Sequence, residues 1–374
     1  MTAPRTLVLG AGIVGSAAAW DLARRAHVVT VADRRSGALA ELADQLDVAT
    51  TTIDVDDATA VAGLMASQDA VVSAVPYSHG ASLASAAAAA GAHYVDFGGN
   101  PRVVKQQLRL DAIAREADVA VVPDCGLAPG LANVLATDMI AALEPGPIDS
   151  VQMRVGALPQ VPIGALGYQL AFSAGGLINE YAERCEVLEN GEVVDVEPLS
   201  RFETVDWEPW GPLEAFSTAG GTSTLCRDHA GRVDALEYKT LRFQGHGLTF
   251  RSMFELGLFD EVPWTVGTTS VAPRPVLVEA LRTRLPRGAP DVVLVRVWAT
   301  QGTRHLGVEL VDVHDGRFSA LARTTAFPAT ALVDLLVRGE LTVRGALAMP
   351  QAITGAQLLP ELEAVGVSVT PLDP

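Results

Sequence analysis

The stretch that most constrains how this chain can fold is 6–15, T-L-V-L-G-A-G-I-V-G, taken together with Asp33. Leu7, Val8 and Leu9 form a short strand. Gly10, Gly12 and Gly15 follow as G-x-G-x-x-G, and S-A-A-A-W-D-L-A then favours a helix. A second apolar run, 28–32, ends at Asp33, 18 residues after Gly15. Each part suits a dinucleotide. Gly10 permits the tight turn, Gly12 lets the backbone approach a pyrophosphate, and Gly15 lets the helix lie close to the strand. Ile13 and Val14 open the helix, whose N-terminus offers free N–H groups and the positive end of its dipole. Asp33 can accept from ribose hydroxyls. Alone the glycine motif is weak; with strand, helix, second strand and acid in order it is specific.

Asp33 repels a 2′-phosphate and so favours NAD. Arg34 and Arg35 follow it directly and can hold such a phosphate, which keeps NADP open.

Beyond the motif, apolar strands alternate with helical patterns as far as residue 143. Strands read at 48–53, 70–74, 93–96 and 119–122, and helices at 37–46, 56–67, 80–90, 102–117 and 131–143. This alternation predicts right-handed crossovers and a parallel, Rossmann-type sheet. Ligands bind outside the carboxyl ends of such strands. The cofactor candidates there are Asp54 and Val55 beside the adenine, Ala74, Val75 and Pro76 along the ribose, and Phe97 and Gly98 near the nicotinamide. Gly99, Asn100, Cys125 and Gly126 are candidates for the substrate side. Turns between strand and helix explain any single one of these glycines equally well.

Glu144-Pro145-Gly146-Pro147 breaks the pattern and marks a domain boundary. Strands then dominate: 151–155, a hairpin of 185–189 and 192–196 around Asn190-Gly191, and 216–225, 235–243, 291–299, 304–311 and 317–323. Helices are expected near 173–181, 248–258 and 276–285. The fold class is therefore α/β, with an inserted α+β domain built on a mostly antiparallel sheet. The dinucleotide-binding domain takes 1–145 and 325–374, and the substrate-binding domain takes 146–324. From Pro328 helical spacing returns, and this tail is expected to fold back onto the first domain.

Two domains with separate cores fit 374 residues, 49% of them hydrophobic. A net charge of −17 argues against nucleic acid and anionic membrane surfaces as partners. Cys125, Cys185 and Cys226 show neither a disulfide framework nor a metal-ligand spacing. With a strand from residue 6 and no bilayer-length apolar run, a cytoplasmic protein is expected.

Several segments together resemble one family. They are P-D-C-G-L-A-P-G at 123–130, M-R-V-G-A-L-P-Q at 153–160, G-L-I-N-E-Y at 176–181, L-E-A-F-S-T-A-G-G-T-S-T-L at 213–225, L-E-Y-K-T-L-R-F-Q-G-H at 236–246 and A-R-T-T-A at 322–326. In that order they resemble the lysine 6-dehydrogenases (lysine ε-dehydrogenases) of the saccharopine dehydrogenase-like family. After Asp96 the chain carries Phe97-Gly98-Gly99-Asn100, where one branch of lysine dehydrogenases has a histidine-containing loop. The resemblance implies an NAD(P)-dependent oxidoreductase of an amino group. Its expected reaction is oxidative deamination of the L-lysine ε-amino group to 2-aminoadipate semialdehyde, which cyclises to piperideine carboxylate. It further implies a cofactor domain completed by the C-terminal tail, and homodimers built on the substrate-domain sheet.

Such chemistry needs a base for an ammonium and a polar group to activate water. Asp124, at a strand end before a glycine turn, is the first candidate, with a turn or cap role as its alternative. Lys239 shares a strand face with Leu241 and Phe243, as a desolvated base or as an edge lysine in water. His246 titrates near neutrality, or is a satisfied core histidine. Arg242 or Arg323 can take a carboxylate as a bidentate pair, or serve structural ion pairs. Glu180 and Tyr181 fit a helix surface; Trp207, Trp210 and Phe216 fit packing better than a pocket wall. Cys125 reads as a turn residue, since no histidine partner is visible. The alternatives to the lysine reaction are a saccharopine-like or polyamine-type C–N reductase and a non-catalytic NAD-binding redox sensor.

Overall fold

The computed structural model describes residues 3–372. The chain divides into two compact units, Met1–Asp138 with Ala322–Ser368, and Met139–Leu321 with Val369–Pro374. The sequence places the joints at 145/146 and 324/325. In the structure they fall inside the helices Leu131–Leu143 and Ala320–Val337.

The first unit is a parallel sheet, as the alternation predicts. Its strands are β1 (Arg5–Leu9), β2 (Val28–Asp33), β3 (Ala49–Thr52), β4 (Ala70–Ser73), β5 (His93–Asp96) and β6 (Ala120–Val122). The order is β6-β5-β4-β1-β2-β3, and the tail returns to add the short strand Gly345–Ala346 beside β6. Strand order reverses between β1 and β4, whose ends Leu9 and Ser73 pair directly. Ligand crevices form at such a switch point. Leu7, Leu9, Val71, Tyr94 and Val121 lie in one buried cluster beneath the helices, so the strands read as continuous apolar runs.

The expected helix at 102–117 is two helices, Pro101–Leu108 and Asp111–Glu116. Apolar spacing alone did not show the break at Arg109-Leu110. Asn100 caps the first of the pair, its Oδ1 accepting from Arg102 N (3.1 Å) and Val103 N (3.3 Å).

A buried polar cluster joins the first helix of this unit to its C-terminal part. Arg25 Nε donates to Asp21 (2.8 Å), and its Nη1 donates to Asp334 (3.1 Å) and Glu361. His27 lies between Thr6 Oγ1 (2.7 Å) and Asp334 Oδ1 (2.9 Å). Thr330 donates to Asp21 (2.6 Å). Burial alone would raise the Asp334 pKa, but His27 and Arg25 outweigh it and hold the carboxyl below its ordinary value.

The second unit carries a nine-stranded mixed sheet. Its strands are β7 (Ile148–Pro159), β8 (Cys185–Glu189), β9 (Glu192–Val196), β10 (Glu203–Val205), β11 (Leu213–Ser217) and β12 (Val233–Phe243). A separate two-stranded ribbon, β13 (Trp264–Val266) and β14 (Thr269–Val271), precedes β15 (Asp291–Gln301) and β16 (Arg304–Val313). The order is β10-β11-β12-β7-β15-β16, with Thr370–Pro371 on β16 and the β8–β9 hairpin attached to β12. Only β12 and β7 run parallel among the paired strands described. The hairpin turns at Asn190 (φ 53°) and Gly191 (φ 74°), both left-handed as its Asn-Gly signal requires. The helices Ala174–Ala182, His246–Glu255 and Pro273–Arg284 supply apolar side chains to one core cluster with Phe216 of β11.

Two strand expectations fail. The stretch 216–225 leaves the sheet after Ser217, and 317–323 is the start of the helix Ala320–Val337, which continues through Pro328. The start of that helix is capped from a distant strand: Asp291 of β15 accepts from Ala320 N (2.7 Å) and Leu321 N (3.0 Å). By length and hydropathy this helix could cross a bilayer, but it is 83% buried inside the protein and is a core helix.

Replacing Asp334 by Asn should remove the negative charge that Arg25 and His27 share, leave one acceptor oxygen in place of two, and lower the unfolding free energy by about 3 kcal/mol. A lower urea midpoint at unchanged slope would be the readout. Because the folded-state pKa is depressed, this contribution is present above the ordinary carboxylate range and is lost as pH falls through the depressed value.

Candidate active site

The glycine turn is held by its neighbours. Gly10 has φ +103°, and its N–H donates to Ala32 O (2.7 Å). A Cβ there would stand 2.6 Å from Ala74 O, and one on Gly15 would overlap Gly10 O. Those two glycines are demanded by close packing of helix on strand. Gly12 differs: a Cβ added to it meets nothing within 4 Å. Nothing in the protein needs glycine at that position. Gly12 is the N-cap of the helix Ile13–Arg24, makes no side-chain cap, and is followed by no acid in the first turn. Ile13 is exposed and Val14 half-buried beside it. The open, uncapped N-terminus fits a dinucleotide pyrophosphate.

Asp33 closes the same turn. It accepts from Ala11 N (2.8 Å) and Arg35 N (2.8 Å), and from Arg35 Nε (3.2 Å) and Nη2 (3.1 Å). Burial raises its pKa, but the Arg35 and Ala11 hydrogen bonds prevail and hold it below the ordinary value. The Arg35 side chain is 60% exposed, so this ion pair is displaced at little cost. Arg34 is exposed. Asp54 is exposed and accepts from Asp56 N (3.1 Å), while Val55 and Val75 pack on the core. Ala74 abuts Gly10, and Pro76 is exposed.

At the ends of β5 and β6 the candidates Phe97, Gly98, Gly99, Asn100, Asp124, Cys125 and Gly126 come together around Asp96. The buried Asp96 carboxylate accepts from Gly98 N (3.0 Å), Asp124 N (3.2 Å), Tyr94 Oη (3.2 Å) and Gln107. Its carbonyl accepts from Cys125 N (2.8 Å). Burial raises the Asp96 pKa against the pull of Gln107 and the backbone donors. Asp124 is buried, left-handed (φ 60°), and accepts from Gly99 N (3.3 Å). A Cβ on Gly98 would overlap the Asp124 carboxylate, and one on Gly126 would lie 3.6 Å from Phe97 O. Asp124 is thus a fixed carboxylate in a sparsely populated backbone conformation, a common mark of functional sites. Asn100 Oδ1 serves as the helix cap already described. The Cys125 thiol donates to Val122 O (3.1 Å) and burial pushes its pKa well up, so it is no nucleophile.

The second unit sorts its candidates onto two sheet faces, as the alternation along β12 requires. Lys239 shares one face with Leu241 and Phe243. Its Nζ lies between Glu203 (2.7 Å) and Glu237 (3.3 Å), which also pair with Arg154. A lysine locked between two carboxylates is a structural ion pair, and the proposed base role is corrected accordingly. Trp207 and Trp210 pack on this face with Leu241, and Arg296 stacks 4.1 Å over the Trp207 ring.

On the opposite face Arg242 is buried. Its Nε donates to Tyr181 Oη (3.1 Å), its Nη1 donates to Leu241 O (2.8 Å), and its guanidinium lies 5.1 Å from the Tyr168 ring centre. Among the described residues no carboxylate lies within ion-pair distance of it, and Nη2 makes no hydrogen bond. Glu180, half-buried beside Tyr181, makes no side-chain hydrogen bond among the described residues. Burial, partly offset by Arg242, raises its pKa to about 7. Sequence reasoning assigned Glu180 to a helix surface. The signal it missed is spacing, since Glu180 follows buried Leu177 by three residues. His246 is buried with both ring nitrogens engaged, by Leu166 O and Tyr181 Oη (each 3.0 Å). Burial, then Arg242, lowers its pKa to about 3. It is the satisfied core histidine, and the base role is corrected here too. Arg323 belongs to the first unit, where its Nη2 donates to Val365 O and Gly366 O (each 3.2 Å). No cluster of His, Cys, Asp and Glu able to hold a metal occurs among the described residues.

Residues 6–122 match the saccharopine dehydrogenase NADP binding domain, and 126–367 match the saccharopine dehydrogenase C-terminal domain. The chain belongs to the saccharopine dehydrogenase family. Its first unit carries that family's dinucleotide-binding domain, and NAD(P) is its cofactor. It is 25% identical to saccharopine dehydrogenase [NADP(+), L-glutamate-forming] of Pyricularia oryzae, over 72% of this chain and 63% of that one. To the mitochondrial alpha-aminoadipic semialdehyde synthase of Bos taurus it is 23% identical, over 99% of this chain and 48% of the other. The chain therefore spans less than two thirds of these relatives. Apo saccharopine dehydrogenase (L-Glu forming) from Saccharomyces cerevisiae has the same fold, with a TM-score of 0.78 at 17% identity, over 99% of this chain and 100% of that one.

The glycines separate by experiment. Gly12→Ala should cost under about 1 kcal/mol of stability yet weaken dinucleotide binding about tenfold or more, because the methyl group stands where the pyrophosphate approaches. Gly15→Ala should instead fail to fold. Thermal unfolding and a dinucleotide titration by protein fluorescence distinguish the two.

Proposed function

We propose that this chain is an NAD(P)-dependent oxidoreductase of the CH–NH2 group of an amino acid, acting on the L-lysine ε-amino group. The product is 2-aminoadipate semialdehyde, which cyclises to piperideine carboxylate. The observation that carries this reading is Arg242, a buried cation with an open Nη2 edge and no carboxylate partner among the described residues. A buried guanidinium without a counter-ion is costly, and a substrate carboxylate relieves that cost through charge-assisted hydrogen bonds.

In this reading Arg242 takes the α-carboxylate. Glu180, with its pKa near 7, takes a proton from the amine and assists water at the imine stage. A dinucleotide held at Gly12 and Asp33 would supply the hydride acceptor. Water then adds to the C=N bond, ammonia leaves, and the aldehyde remains.

Asp33 alone favours NAD. Its bond to Arg35 offsets that preference, because the carboxylate is already neutralised and Arg34 and Arg35 lie exposed beside it. We read both NAD and NADP as cofactors, with Arg35 responsible for the 2′-phosphate. Arg35→Ala should weaken NADP binding about tenfold while NAD binding holds or improves; equal weakening of both would remove this role.

The deciding experiment follows NAD(P)H absorbance with lysine, other ω-amino acids and saccharopine as substrates. Lysine turnover supports the first reading. Oxidation of saccharopine without lysine turnover moves the assignment to a C–N reductase, the reading favoured by the relatives' names. Dinucleotide binding without any turnover leaves a redox sensor. With lysine, kcat/KM should rise with pH through about 7 as Glu180 ionises. Glu180→Gln should flatten that limb, and an unchanged profile would exclude it as the base.

The same reading includes a homodimer built on the second unit's sheet and a cytoplasmic location. Light scattering on the purified protein should give about twice the 39.1 kDa chain mass.

A further inference from the structure

The hydrogen bonds around Arg242 have only one consistent direction. Leu166 O can only accept, so His246 carries its proton on Nδ1 and donates it there (3.0 Å). Its Nε2 is then an acceptor, and the group 3.0 Å away is the Tyr181 hydroxyl. Tyr181 donates to that nitrogen, which leaves its oxygen lone pairs to receive Arg242 Nε–H (3.1 Å). The relay runs from Arg242 through Tyr181 and His246 to the main chain at Leu166. With a pKa of about 3, the imidazole stays neutral over the working pH range, so the relay keeps its direction.

The rings are fixed as well. His246 stacks on Phe250 (4.7 Å, 30°) and meets Tyr168 edge-on (5.1 Å, 63°). Tyr181 meets Phe250 (5.0 Å) and Phe216 (5.7 Å) edge-on. The guanidinium is therefore located on one side by the Tyr168 ring and at Nε by Tyr181. Its Nη2 makes no hydrogen bond among the described residues, while Nε and Nη1 each make one.

We propose that His246 and Tyr181 are positioning residues that set the Arg242 guanidinium for one substrate α-carboxylate, and that they thereby determine selection of α-amino acids over carboxylate-free amines. This rests on the reading of Arg242 as the carboxylate-binding cation. Neither residue needs to touch substrate. Their effect passes through the orientation of Nη2, so it belongs in KM for carboxylate-bearing substrates and not in the chemical step.

The test compares lysine with 1,5-diaminopentane, which has the same reacting amine and no carboxylate, in wild type, Tyr181→Phe, His246→Leu and His246→Gln. Gln can accept from Tyr181 as His Nε2 does; Leu cannot. Tyr181→Phe and His246→Leu should raise KM for lysine about tenfold with kcat held within about twofold, and should leave the diamine constants unchanged. His246→Gln should recover most of the lysine KM. Circular dichroism and thermal unfolding identify a variant that has not folded, and calorimetric titration of folded variants with 6-aminohexanoate, which keeps a carboxylate, reads binding without turnover. Equal losses for lysine and diamine, or a kcat loss at constant KM, overturn the proposal. If Arg242→Met leaves the lysine KM unchanged, the carboxylate reading itself fails. If Arg242→Met raises it and Tyr181→Phe does not, only the relay fails.

Discussion

The first unit depends on one close approach, the helix Ile13–Arg24 against the turn at Gly10. Gly15 stands where any side chain would overlap the Gly10 carbonyl, and Gly10 stands against Ala74 at the end of β4. That contact brings the helix N-terminus to the point where strand order reverses. Asp33 reinforces it by accepting from Ala11 N, so the end of β2 and the glycine turn are one piece. With the turn fixed, β4, β5 and β6 deliver their loops to the same edge of the sheet. Asp96 then ties Gly98 to Asp124 through one buried carboxylate, and holds Cys125 N through its main-chain carbonyl.

The second unit poses a different problem, the burial of cations in a sheet. It solves it in opposite ways on its two faces. Arg154 and Lys239 are matched by Glu203 and Glu237, and four side chains close a network that needs nothing more. Arg242, one residue beyond Leu241 on the other face, receives a tyrosine hydroxyl, a backbone carbonyl and an aromatic ring. Glu180 is near enough to be influenced by it but not to pair, and burial, partly offset by Arg242, raises its pKa to about 7. Matched charge is structure; unmatched buried charge points to a ligand. That contrast separates Arg242 and Glu180 from Lys239.

Much of the architecture was legible in advance because it rests on local signals. Period-two and helical spacing marked the parallel sheet, Asn190-Gly191 marked a hairpin, and the face alternation along β12 placed Lys239 and Arg242 on opposite sides. Where the reading failed, the deciding partner lay far away. The first turn of the helix at Ala320 has N–H groups accepted by Asp291, 29 residues upstream. His246 looked like a base because nothing nearby in sequence revealed Leu166, 80 residues before it, or Tyr181, 65 before it. Glu180 looked like solvent-facing helix because its neighbours Tyr168 and Arg242 arrive from other elements.

By itself the sequence determined the dinucleotide turn, the strand and helix periods and which residues share a face. These follow from backbone sterics and from the repeat of side-chain direction along a few residues. Only the tertiary structure decided which charged groups are paired and which stand alone, because the cost of a buried charge depends on partners that folding brings from tens of residues away. For this chain that distinction sets the paired Lys239 and the satisfied His246 apart from Arg242 and Glu180, the groups we propose meet a substrate.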